Sequence, residues 1–180
     1  MARKNGVGSN QYKTRSRALL PEMSFSDLMN LALRPSTSPV DLAQMAQSPR
    51  EHVRAVVAQN SNTPPEVLAQ LAQDGEREVA EGVARNHQCP PRLLDQLSHH
   101  PHWMVLVGVA ENRRCPPSAL RRLATHRHVL VRRAVAQHPK TPSSAITQMA
   151  LHDKDQKARD SAWAHPNLSE EYQILRRVAR

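Results

Sequence analysis

The chain has 180 residues, 39% of them hydrophobic but only 3% aromatic, so its core must be built from Leu, Val, Ala and Met. Its net charge of +9 selects nucleic acid first, and an acidic protein or membrane surface second, as the class of partner. The apolar run Met104–Ala110 is far too short to cross a bilayer, and no apolar segment follows the basic N-terminal residues, so neither a membrane span nor a secretory signal is expected.

Residues 1–22 are polar and basic. Arg3, Lys4, Lys13, Arg15 and Arg17 occur there without one acid before Glu22. They read as a flexible arm. Residues 23–34 follow as a helical cap, opened by Ser24 and Asp27 at capping-box spacing.

A 26-residue period then begins. Thr37, Thr63, Cys89, Cys115 and Thr141 mark successive starts, each followed by a proline-containing pair. Leu42, Leu68, Leu94, Leu120 and Ile146 share one register, and Met45, Leu71, Leu97, Leu123 and Met149 another. Val57, Val83, Val109 and Val135 recur in step, as do Ala58, Ala84, Ala110 and Ala136. In the second unit, Thr63 reads as the helix N-cap and Pro64 as the first helical residue. Leu68, Leu71 and Ala72 give helix A one apolar stripe, and Asp74-Gly75 breaks it. Helix B runs from about Glu76, with Val79, Val83 and Ala84 inward, to Asn86, where Asn tolerates a left-handed stop or bonds to backbone in the next coil. Asn60 and Asn112 share that position, and His138 replaces them in the fourth unit.

The fifth unit is one residue longer across His152–Gln156, and Trp163 stands where the other units have Ala. Trp163 and the segment 167–180 read as the C-terminal cap. The fold expected is therefore all-α: one solenoid domain over 23–180, of about five two-helix repeats between two caps.

The pattern Thr-Pro-Pro-x-x-Leu-x-x-Leu-Ala…Val-x-x-x-Val-Ala-x-Asn, best seen from Thr63 to Asn86, resembles the leucine-rich repeat variant family. The resemblance covers about residues 35–166. It implies a right-handed superhelix of α and short or 3₁₀ helices, related in shape to HEAT and armadillo arrays, and no common enzymatic activity. One member of that family carries an N-terminal iron–sulfur cluster on cysteines. This chain has no cysteine before Cys89, so no cofactor is expected.

Cys89 and Cys115 sit at the position read as the N-cap, where a thiol can become reactive. As two isolated thiols they cannot complete a cluster or a structural zinc site, and they read as small substitutes for Thr. Two cysteines without a signal fit a reducing, cytoplasmic setting. His100, His126 and His152 form one register at the turn between the helices, and His102 and His128 another. They read as a solvated ridge able to gain charge near pH 6.5, with no metal-ligand pattern.

The arginines carry the functional expectation. Between Asn112 and His152 there is no acid, against Arg113, Arg114, Arg121, Arg122, Arg127, Arg132, Arg133 and Lys140. Together with the N-terminal arm, these arginines form the expected contact with nucleic-acid phosphates. With few aromatics for stacking, recognition would be of backbone. The alternative is a protein scaffold, in which the acidic second repeat (Glu66, Asp74, Glu76, Glu78 and Glu81) and the basic fourth promote self-association, or an acidic partner docks. Asp155, Asp160 and Trp163 suggest a base-excising enzyme only superficially, since no apolar or aromatic base pocket accompanies them. No catalytic motif, small-molecule substrate or metal is expected.

Overall fold

The computed structural model describes residues 20–178, of which Leu20–Glu22 form a 3₁₀ turn and the rest twelve α-helices joined by short turns. Helix α1 (Phe25–Leu33) comes first. Then follow five pairs: α2 (Pro39–Met45) with α3 (Glu51–Gln59), α4 (Pro65–Leu71) with α5 (Arg77–Arg85), α6 (Pro91–Leu97) with α7 (Trp103–Glu111), α8 (Pro117–Leu123) with α9 (Val129–Gln137), and α10 (Ser143–His152) with α11 (Gln156–Ala164). Helix α12 (Glu170–Val178) ends the described chain. This is an α-solenoid; among the described residues there is no strand and no helix long and apolar enough to cross a membrane.

Most A helices have seven residues and the B helices nine, too short to persist alone. Their stability comes from burial. Leu42, Leu68, Leu94, Leu120 and Ile146 are fully buried in one column, and Val57, Val83, Val109 and Val135 in another. Each such side chain contributes about 1.5–3 kcal/mol on leaving water. The B helices stack directly, α1 on α3, α3 on α5, and so on to α11, and form the denser wall. Close approach there needs small residues. A Cβ added at Gly82 would lie 2.9 Å from both the Ala55 carbonyl oxygen and the Ala58 Cβ. At Gly108 the nearest atoms, at 3.2 Å, are the Ala84 Cβ and the Arg85 Cγ.

Two expectations about helix ends are corrected. The helix A N-caps are Ser38, Pro64, Pro90, Pro116 and Pro142, one residue later than expected, so Thr63 is not an N-cap. Pro39, Pro65, Pro91 and Pro117 open their helices at the position where a missing N–H costs nothing. The Thr hydroxyl points backward: Thr63 Oγ1 donates to the Val57 carbonyl of the preceding B helix, and Thr141 Oγ1 to that of Val135 at 2.7 Å. Asn86 ends its helix in extended, not left-handed, conformation (φ −67°, ψ 122°), and no non-glycine residue among those described has positive φ.

The side chain explains why Asn stands there. Asn86 Nδ2 donates to the carbonyls of Ala58 and Asn60 in the preceding repeat and not to the next coil, at 2.7 and 2.9 Å. Its Oδ1 accepts the Gln88 N–H at 2.8 Å. Asn60 binds the Ala32 and Arg34 carbonyls, and Asn112 those of Ala84 and Asn86, in the same way. His138 and His165 continue the ladder. Their Nε2 atoms meet the Asn112 and His138 carbonyls at 3.1 and 3.0 Å, while their Nδ1 atoms accept the N–H of Lys140 and Asn167. That pairing fixes a neutral ring with its proton on Nε2. The Ala32, Ala58 and Ala84 carbonyls near the ends of α1, α3 and α5 thus find a partner in the next repeat, while the carbonyls of Asn60, Asn86, Asn112 and His138 also accept the turn N–H of Thr63, Cys89, Cys115 and Thr141.

Replacing Asn86 by Ala removes three hydrogen bonds and leaves the Ala58 carbonyl and the Gln88 N–H without these partners, while the Asn60 carbonyl keeps the Thr63 N–H; it should lower unfolding free energy by about 2 kcal/mol in urea titration. Asn86→His, which keeps a donor and an acceptor, should cost clearly less. Gly82→Ala should destabilise by roughly 1–3 kcal/mol through overpacking against backbone. Gly108→Ala should be near neutral, because a flexible Arg85 can give way and helix propensity favours Ala by about 1 kcal/mol.

Candidate binding edges of the C-terminal repeats

The turns between helices A and B follow one design. A side chain two residues before the helix B N-cap position accepts the N–H of that residue, as an Asx turn does. Asp74 accepts from Glu76 at 3.0 Å, His100 from His102 and His126 from His128 at 3.1 Å each, and Asp153 from Asp155 at 2.9 Å. Ser48 does so for Arg50. The inserted residue of the fifth repeat, absorbed by the longer helix α10, puts Asp153 and not His152 in register with His126. The histidine ridge expected along three coils is therefore two turn-forming rings, His100 and His126, with His152 displaced to the surface.

What fills this position follows the preceding B helix. Arg54 on α3 forms a bidentate pair with Asp74 of the next turn, at 2.6 and 3.1 Å, and also donates to the Ser48 carbonyl at 2.8 Å. Arg132 on α9 repeats this with Asp153, at 2.8 and 2.9 Å, and with the His126 carbonyl at 3.0 Å. The corresponding residues of α5 and α7 are Ala80 and Leu106, and there the next turn carries His100 and His126. Where no guanidinium exists to pair with a carboxylate, a neutral acceptor takes its place.

These pairings redistribute the expected phosphate-binding arginines. Arg132 is held by Asp153, whose side chain is only 2% exposed. Arg133 is bidentate to Asp155 at 2.7 Å for both bonds, and Asp155 also caps α11. Arg122 binds Asp95 across to the previous A helix at 3.0 Å. Arg114 donates to the Gln88 carbonyl and stays exposed. Arg113, Arg121 and Arg127 are exposed, with no carboxylate partner among the described residues. The solenoid also separates the set. Arg113, Arg114 and Lys140 lie on the edge of the turns from B to A. Arg127 lies on the opposite edge, with Arg121 and Arg122 near it at the end of α8. Arg3, Lys4, Lys13, Arg15 and Arg17 lie outside the described residues.

Lys154 was missed by sequence reasoning. It occupies the register of Arg127 once the inserted residue is counted, and it is exposed. The acidic second repeat is partly neutralised: Glu81 lies 3.2 Å from both Arg77 and Arg85 of the same repeat, and Asp74 belongs to Arg54 of the preceding one. Cys89 and Cys115 are fully buried, one residue before the N-cap, and burial pushes both thiols up to about 12. Both therefore fill the buried Thr position as small apolar residues, and neither is an activated thiol at a helix N-terminus. Trp103 stacks on His128 with centroids 4.1 Å apart, and Trp163 meets Tyr172 edge to face at 6.0 Å, so both are engaged within the fold.

The model of the Leucine Rich Repeat Variant domain matches residues 26–86. A solved structure described as a leucine-rich repeat variant with a novel repetitive protein structural motif is similar at 26% identity and a TM-score of 0.66. The match covers 89% of this chain and 64% of that one, so the chain spans just under two thirds of that structure's length. No curated protein matches.

Burial holds His100, His126 and His138 below their ordinary 6.5, so the folded chain prefers them neutral. The unfolded chain then binds protons at higher pH than the folded one, and stability must fall as pH drops below 6.5 until the lowered values are reached. Thermal melts from pH 8 to 5 should show this decline. His138→Asn, which restores the residue of the other repeats, should flatten it.

Proposed function

We propose that this α-solenoid, of leucine-rich repeat variant type, is a non-enzymatic binding scaffold whose C-terminal repeats hold the phosphate backbone of nucleic acid. One observation carries the reading. Exposed cations without carboxylate partners gather in repeats four and five, where the nearby acids Asp95, Asp153 and Asp155 are consumed by Arg122, Arg132 and Arg133. These repeats and the turn before them therefore expose two basic edges, with Arg121, Arg127 and Lys154 on one and Arg113 and Lys140 on the other. Such a surface attracts polyanions through counterion release and carries little sequence information.

The engaged state of Trp103 and Trp163 supports backbone rather than base recognition, since stacking needs a free aromatic face. A protein partner is the second reading. It is favoured by Leu130, which is 39% exposed on helix α9. An acidic protein would use the same cations.

Fluorescence anisotropy against duplex DNA, single-stranded DNA and RNA should show binding at low salt. The log–log salt slope should reach about −2 or steeper, each neutralised duplex phosphate contributing about −0.9. A flat trace for all three at 50 mM salt would remove nucleic acid as the partner.

A further inference from the structure

A groove of about 360 Å³ runs between the A-to-B turns of repeats four and five. Its walls include Thr125, His126, Arg127, Gln148, His152 and Lys154. Arg127 and Lys154 occupy equivalent positions in successive repeats, so they flank the groove at about the 8–10 Å spacing of packed helices. Gln148, His152 and Lys154 are exposed, and their side chains have no hydrogen-bond or ionic partner among the described residues.

The acid in the wall is masked. Both Asp153 oxygens are taken by Arg132, and one also accepts the Asp155 N–H. The groove thus presents two cations together with Gln148 and His152, both able to donate, and no free carboxylate. The equivalent groove between repeats two and three has a similar volume, about 370 Å³, but contains no Lys or Arg. Its lining includes Gln73, Gln96, His99 and His100. Earlier turns carry Pro49, Gly75 and Pro101 in the register of Arg127 and Lys154. The basic pair is therefore a local departure from the repeat and not a consequence of it.

We propose that this groove is a phosphodiester-binding site, the point at which the C-terminal repeats grip a nucleic-acid strand. The proposal rests on the nucleic-acid reading above and deepens it. A bridging strand phosphate would lie between the Arg127 guanidinium and the Lys154 ammonium, with Gln148 and His152 donating from the floor.

The test compares two variants of the full chain against the same labelled single-stranded and duplex oligonucleotides. Arg127→Ser with Lys154→Ser removes two charges from the groove. Arg113→Ser, Arg114→Ser and Lys140→Ser together remove three from the opposite edge. All five positions are exposed, and circular dichroism verifies that each variant folds. The expected result is at least tenfold weaker binding, with a salt slope reduced by about 2, for the groove variant, and less than threefold weakening for the edge variant. Loss confined to the edge variant would overturn the groove while leaving the nucleic-acid reading in place. Losses in proportion to charge removed, larger for the edge variant, would also overturn the groove and leave a diffuse field. Wild-type chain that binds no oligonucleotide would overturn both.

Discussion

The hydrogen bond from each C-cap side chain to the carbonyls of the preceding repeat is the constraint on which this fold depends. An α-helix leaves its last carbonyls without partners, and helices of seven to nine residues have a large share of such ends. In this chain those carbonyls are buried, so water cannot serve them. Asn60, Asn86 and Asn112 serve them instead, and His138 and His165 add a bond to the C-cap carbonyls of Asn112 and His138, each reaching about one repeat back. The same side chains accept an N–H two residues ahead and so shape the turn into the next A helix. No repeat completes its own backbone hydrogen bonding. Stability is therefore a property of interfaces, as expected of a one-dimensional array.

A second set of contacts obeys the same logic on the opposite edge. Arg54 and Arg132 hold the carboxylates of the following turns, and the repeats that lack such an arginine replace the carboxylate with His100 and His126. The pairing bears directly on function. It withdraws Arg132 and Arg133 from the surface charge while masking the acids that would neutralise their neighbours. The basic character of the fourth and fifth repeats is thus set by arginines that pair as much as by cations that do not.

The period, the two-helix unit and the buried columns were legible in the sequence, because each rests on apolar residues that recur in step. The inward roles of Leu68, Val79 and Val83 needed nothing more than spacing. Direction was harder to read. Thr63 and Asn86 look like local caps because both residue types cap helices, yet both side chains turn toward the preceding segment. A one-residue insertion defeated the counting at His152, where only the helix geometry of α10 reveals that Asp153 and Lys154 inherit the registers of His126 and Arg127. The ion pairs span 20 to 27 residues and cross between repeats, so a reading of charge runs saw a cluster of free arginines where three are already partnered.

The most direct measurement of the ladder is native-state hydrogen exchange at the turn amides of Asn62, Gln88, Arg114, Lys140 and Asn167. All five lie in connecting turns, where amides ordinarily exchange fast. If the ladder holds the repeats together, they exchange as slowly as the amides at the centres of the B helices, opening only when an interface opens. Exchange as fast as that of neighbouring turn amides such as His87 would contradict the account and make the asparagines simple helix stops.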